Sequence, residues 1–413
     1  MKKTISFICC MAFSAPAFSM DFEWMPERRK NQFPNESAHL FVPLPYSYPG
    51  IGEGFFLIAN MANLGETTAD VAIIGIVGDA TGTVIHSDEI PLIDKQLLLQ
   101  VQLQNINRAV VNNYDIRGMN GASDYNLLDI TRADENVIQL KHTSMDRRLN
   151  FFVSYRDANF ALDAIRESDG AIIQQLSESY TSSESNTSLG FSLDFTDDYL
   201  DPKRGVRFEL TYADAPSKSD TDPDYYRLDY NALFYIPFSE NDVLVANFYQ
   251  SDAHVKSIGN TDTAVIQSEL NLQCGTDPQC LQVEQQLIKS TIDARTNGTA
   301  TSLGGLNRLR SYPDGRFQGG HMAFIGAEYR WNMVDENTPF NYLFWKDVRT
   351  GKQIAFFAEA GSVAETAGDV WDEYRTSVGV GLRLVTASGS VYRADFAKGD
   401  EGTELAVFFF YPW

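Results

Sequence analysis

Apolar and polar positions alternate along much of this chain. In residues 321–332, Ala323, Ile325, Ala327, Tyr329 and Trp331 fall on one face of an extended segment. Phe324, Gly326, Glu328 and Arg330 fall on the other. Further on, Ile354, Phe356, Ala358 and Ala360 oppose Gln353, Phe357 and Glu359, and at the end Leu405, Val407, Phe409, Tyr411 and Trp413 point one way. A period of two over about ten residues, with aromatics toward the ends, predicts strands that meet lipid on one face and a wet interior on the other. After residue 20 no window holds 18 continuous apolar residues, so no helical span is predicted.

A soluble β-sandwich would also alternate. Two features favour a barrel. Short connectors such as "DPKRG" and "TASG" contrast with long ones such as "DIRGMNGASDYNLLDITRADE" and "RESDGAIIQQLSESYTSSE". The polar face also carries Glu and Arg, which need a wet or paired setting. The expected fold class is therefore all-β: a transmembrane antiparallel β-barrel of about 16 strands, of outer-membrane type. Hairpins are expected near 186–213, 226–253, 320–361 and 374–413. An even count puts both chain ends on the periplasmic side. Residues 51–413 form the barrel in this reading, and 20–50 a short periplasmic segment. A long extracellular loop covers 255–319, with a short helix over 280–295 predicted from Leu281, Val283, Leu287 and Ile288.

The opening of the chain changes the picture of the compartment. Lys2 and Lys3, an apolar run of about 15 residues and Ala17-Phe18-Ser19 read as a signal peptide over residues 1–19. Its removal would take the net charge from −22 to −24, because two lysines leave with it. So acidic a chain argues against nucleic acid as a partner. Two cysteines then remain, Cys274 and Cys280 in "QCGTDPQC", whose spacing in an exported protein reads as a small loop disulfide. No second Cys or His pair accompanies them, and acidic clusters such as "DEGTE" lack the spacing of a calcium loop, so neither metal nor cofactor is expected.

The passage "LGGLNRLRSYPDGRFQGG", residues 303–320, fits no period and crowds Arg308, Arg310 and Arg316 among glycines. With its neighbours it resembles the outer-membrane-protein-85 superfamily, also called the bacterial surface antigen family. Gly304 and Gly305 followed by Arg310, Ser311 and Tyr312 are similar to that family's double glycine and Arg-Gly-aromatic tip. Asp194, Asp197, Pro202 and Gly205 resemble its acidic Pro-x-x-Gly periplasmic turn. "GAEYRW" and "FFAEAG" resemble two following strands that each supply an acid, and the terminal aromatics Phe409, Tyr411 and Trp413 resemble its assembly signal. The chain departs from the pattern where Ser311 replaces a glycine and Glu359 replaces the usual Asp. The resemblance implies that the loop folds back into the lumen, where Glu328 and Glu359 hold Arg310. A guanidinium offers five donors in a fixed fork to such acids. No periplasmic transport-associated module is expected ahead of the barrel, since only some thirty residues stand there.

These expectations leave several function classes. The first is a stand-alone barrel acting in outer-membrane assembly, biogenesis or transport. The others are a simple solute pore, a surface structural or adhesive protein, and an outer-membrane hydrolase. For the last, Asp252 and His254 could activate water, but no Gly-x-Ser-x-Gly motif lies nearby, so the chain is read as no enzyme. Expected partners are outer-membrane lipids and lipopolysaccharide, the barrel-assembly machinery during insertion, and a second copy of the chain through the lipid face or the seam between first and last strands.

Overall fold

The computed structural model describes residues 25–413, apart from 120–124, 240–241, 271–274, 277, 335–338, 343–344 and 387–390. The expected leader and Cys274 lie outside the described residues, and so does the Cys274–Cys280 pairing. The rest is an antiparallel sheet rolled into a closed sixteen-stranded barrel. Its strands are β1 (Ala38–Tyr48), β2 (Gly52–Ala62), β3 (Asp70–Gly78), β4 (Thr81–Ile93), β5 (Leu97–Asn113), β6 (Asn126–Ser144), β7 (Leu149–Arg166), β8 (Ile172–Thr196), β9 (Gly205–Ala215), β10 (Asp224–Pro237), β11 (Val243–Ser257) and β12 (His321–Val334). After the short β13 (Pro339–Tyr342) come β14 (Trp345–Ala364), β15 (Arg375–Thr386), β16 (Val391–Gly399) and β17 (Gly402–Phe409). Each wall strand pairs with the next, β12 directly with β14, while β13 only extends the hairpin between them. Helices α1 (Thr263–Leu270) and α2 (Pro278–Asn297) sit in the long excursion after β11.

Alternation decides the two faces. On β12, Phe324, Glu328 and Arg330 are at most 1% exposed, while Ile325 and Trp331 are 43% and 47% exposed. Lipid would meet the second set. The same parity holds at Phe356 outside and Phe357 inside.

Three sequence expectations are corrected here. Two supposed long loops run into long strands: the 19-residue β6 takes in 126–135 of the first and the 25-residue β8 takes in 172–184 of the second. Both project past the apolar belt, where each face is wet and no alternation is required. The first strand begins at Ala38, inside the stretch assigned to a periplasmic segment. Pro43 and Pro45 disguise it. They stand two apart, so both missing donors lie on one edge of the strand, the only place a sheet accepts them. Finally, the terminal strand stops at Phe409. Phe410 takes a left-handed backbone, φ 63, and Tyr411 to Trp413 turn into the lumen.

That free edge of β1 is the barrel's seam. All eleven residues of β1 pair with β2, but only Ser47 pairs with Val407 of β17. Below that bridge β16 and β17 curl behind β1 and β2. Tyr392 and Phe409 share the parity of exposed Phe396 and Leu405, yet they pack on Phe56 from inside the barrel, with ring centroids of Phe56 and Phe409 5.1 Å apart. The sheet therefore overlaps itself like a scroll. The start of β14 crosses to close the lower edge: His39 pairs with Lys346, and Trp345 Nε1 donates to Phe41 O at 2.7 Å.

The two faces make a direct prediction. Val380→Arg, on the outer face, should lower stability by roughly 2–4 kcal/mol, the cost of an Arg toward lipid near the bilayer centre. Gln139→Arg, on the inner face, should change it little. Urea unfolding in lipid vesicles reads both, and equal losses would refute the assignment of faces.

Candidate functional site

The excursion between β11 and β12 dives into the barrel after α2. Leu303 and Phe317 form an isolated bridge at its neck, and the backbone between them closes a tight tip. Gly305 N donates to Tyr312 O at 2.8 Å, and Gly304 N to Arg308 O at 3.1 Å. Gly304 and Gly305 hold positive φ, 110 and 82 respectively, which a side chain would strain. The neck and tip rest on an apolar cluster that includes Leu303, Leu309, Tyr312, Phe317, Phe324 and Trp413. Ser311 fits where the resembled family has glycine because the wall yields a glycine instead: a Cβ on Gly399 would strike Ser311 Oγ and approach the Tyr312 ring to 2.9 Å. Ser311 N donates to Ser377 Oγ at 3.2 Å, and Tyr312 Oη to Thr376 O at 3.3 Å.

Arg310 reaches the wall at full burial. Its Nε lies 2.7 Å from Glu359 Oε1, and its backbone N donates to Glu359 Oε2 at 2.9 Å. Its Nη1 lies 3.0 Å from Glu328 Oε2 and 2.9 Å from Asp395 Oδ2. The guanidinium carbon stands 3.4 Å from the centre of the Phe357 ring. Burial opposes the charge on Arg310, but the three carboxylates outweigh that penalty and hold its proton more tightly than usual.

The wall brings its own cations to the same acids. Arg330 Nε is 2.8 Å from Glu328, Arg383 Nη2 is 2.7 Å from Glu328, and Arg393 Nη1 is 2.8 Å from Asp395. Arg383 also pairs with Asp395. Among the described residues Glu359 has Arg310 as its ion-pair partner. The wall thus sets Arg330, Arg383 and Arg393 against Glu328, Glu359 and Asp395, and the loop adds a fourth cation. Sequence reasoning named Arg310, Glu328 and Glu359, which the structure brings together, and missed Asp395 with its arginines. The signal was present: Arg383, Arg393 and Asp395 alternate with apolar residues in "GLRLV" and "YRADF".

Further ties hold the loop at its outer end. Arg316 forks onto Glu401 at 2.6 and 2.8 Å, and Arg308 lies 3.5 Å over the Tyr249 ring. Arg117 forks onto Glu365 at 2.8 and 2.9 Å and donates to Gly298 O, which joins three connections. Helix α2 covers 278–297 as anticipated for 280–295, but Leu281 and Val283 face outward and Glu284 is buried instead, accepting from Gln267 of α1 at 3.1 Å.

The acidic turn at the opposite end is equally built. Asp194 accepts from Thr196 N at 2.9 Å and meets Arg207 at 3.0 Å. Asp197 accepts from Lys203 N and Arg204 N, while Pro202 and Gly205, φ 113, turn the chain. The segment before β1 docks on this turn: Arg29 Nε is 3.0 Å from Asp197, Lys30 is 3.2 Å from Asp198, and Arg28 Nη1 donates to Thr196 O at 3.0 Å. Complementary "RRK" and "DFTDDYLD" carried that contact in the sequence, unread. The suggested Asp252–His254 pair is not formed. His254 stacks on Tyr226, and Asp252 instead meets His321 Nδ1 at 2.7 Å across the β11–β12 ladder. Tyr411 Oη donates to Asp201 at 2.9 Å. Among the described residues no cluster of His, Cys, Asp and Glu could hold a metal ion.

Residues 97–409 match the family profile described as the Omp85 superfamily domain. Solved structures similar to this chain include BamA from Haemophilus ducreyi lacking POTRA domains 1-3, at 13% identity and a TM-score of 0.46, covering 92% of this chain and 69% of that one. CdiB from Escherichia coli is similar at 10% identity and a TM-score of 0.48, covering 90% of this chain and 61% of that one. The chain therefore spans less than two thirds of the latter. No curated protein matches it.

Removing Arg310 leaves buried carboxylates short of a partner. Arg310→Ala should cost about 3–5 kcal/mol, the scale of breaking a buried ion pair. Arg310→Lys should recover only part, since an ammonium cannot fork across three acids. Urea midpoints of the folded barrel, with limited proteolysis of the loop between residues 298 and 320, test this. Full rescue by Lys would show that charge alone matters.

Proposed function

This chain belongs to the Omp85 superfamily, and we propose that it is a gated outer-membrane barrel whose lumen loop is released during assembly, biogenesis or transport at that membrane. Barrels of this superfamily are outer-membrane proteins. With both termini at the periplasmic end, α1, α2 and the loop neck face outside, and the segment at Arg28 to Lys30 faces the periplasm.

One observation carries the reading: Arg310 is wholly buried, on acids the wall already largely neutralises. Withdrawing the loop leaves three wall arginines facing three wall acids, and only Glu359 loses its ion-pair partner among the described residues. A lock with that charge balance is tight when closed and tolerable when open. A passive pore has no need of such a tip. An adhesive role would rest on α1 and α2, whose outward positions include Leu281 and Val283; no contact of theirs names a ligand.

The test is conductance across a planar bilayer. Wild type should stay closed. Glu359→Gln keeps the side chain's shape but removes the one acid that depends on the loop, so it should produce transient openings, and Arg310→Ala sustained ones. Steady, equal conductance in all three would favour the passive pore and overturn the gate.

A further inference from the structure

The lumen has a second, chemically opposite half. Barrel interiors of this kind are ordinarily polar. Here the inner faces of β1 to β6 present Tyr46, Phe56, Ile58, Ile74, Ile76 and Ile106, and a cavity of about 500 Å³ opens in front of them. Its far wall is the outer face of the curled terminal strands, through Tyr392 and Phe409, and exposed Phe410 stands among its lining. Among the described residues no Asp, Glu, Lys or Arg lines it.

We propose that this cavity holds one acyl chain of a membrane lipid, admitted through the seam below the Ser47–Val407 bridge. Four observations point to that occupant. The volume lies within the range of small-molecule sites, roughly 300–1,000 Å³, and is about three times that of an apolar cavity that takes up a benzene ring. The lining is continuous with the lipid face, since Phe396 and Leu405, 52% and 50% exposed, lead along the same face of the sheet to Tyr392 and Phe409. Polar groups gather toward the periplasmic side: Asn60 pairs with Ala72, Ala72 with His86, and His86 with Gln102, with Gln104 of β5 one step above, opposite Val84. Above Asn60 and His86 every pair across β2, β3 and β4 is apolar, Ile58 with Ile74, Ile74 with Val84, and Phe56 with Ile76. A chain with a polar end matches that order. Finally, the ladders of β2 to β5 are paired on both sides. A polypeptide here would bury its own N–H and C=O groups with no backbone partners, whereas an acyl chain has none to satisfy. This inference needs only the membrane setting and holds whether or not the Arg310 loop moves.

Photocrosslinking in cells tests it. A benzophenone amino acid is placed at Ile74 or, as a second position, Val84, both in the cavity. Leu57, on the lipid face, is the positive control, and Ser188, on the polar inner wall, the negative one. Unboiled gel mobility confirms that each barrel is folded. The expected result is a lipid adduct at Ile74 and Val84 and none at Ser188, with Ala133→Phe lowering the yield at Ile74 about tenfold. The adduct mass identifies the source as a fatty acid, a phospholipid or a lipopolysaccharide acyl chain, each of which supports the proposal. Peptide adducts at Ile74, or no adduct at either cavity position while Leu57 gives one, would overturn it.

Discussion

A guanidinium withdrawn from water has to be met where it lands, and Arg310 organises the polar half of this barrel by that requirement. Its partners must face inward on strands that lie within one side-chain reach, so they fall at alternating positions of β12, β14 and β16. Three acids so close would repel one another, and Arg330, Arg383 and Arg393 are the wall's answer. Such buried pairs add little net stability, because desolvation consumes most of the Coulomb gain. What they contribute is position: one register of the loop brings Arg310 onto all three acids, and shifted ones strand a charge.

The legible part of this arrangement was whatever depends on parity. Alternation told which face Glu328 and Glu359 occupy; that the loop's Arg310 meets them came from the family resemblance. Parity says nothing of which distant strands become neighbours, however. Asp395 sits 85 residues from Arg310 in sequence, and its place depends on β16 lying two strands from β14. Polarity also misled where both faces are wet: the ends of β6 and β8 read as loops because nothing there needs to alternate. Pro43 and Pro45 of β1 mark a sheet edge, which alternation alone does not show. The His321–Asp252 contact was hidden for a related reason, since the ladder that aligns them closes a hairpin around the whole 258–320 excursion.

The lumen is thus divided. On one side, a charged cluster fixes the tip of an external loop. On the other, an apolar wall faces the back of the terminal strands. The overlap at the seam creates the division, because curling β16 and β17 inward turns a lipid-type surface toward the inside while Arg393 and Asp395, on the opposite face of the same strand, point at the cluster. One strand therefore serves both environments, and the seam's geometry and the cluster's geometry cannot be altered independently.

The single bridge at the seam also orders events as the chain folds. Ser47 and Val407 stand 360 positions apart (407 − 47) and His39 and Lys346 307 apart (346 − 39), whereas the other strand pairings join strands adjacent along the chain or flanking one excursion. Closing so long a span carries the greatest entropic cost, though one that grows only with the logarithm of length. Hairpins would form first and the circle last. Until then the sheet exposes two raw edges, the usual template for association with another chain. Pro43 and Pro45 make one of those edges a poor template, with two of its donors missing. The same residues that weaken the finished closure would guard the unfinished sheet against the wrong partner.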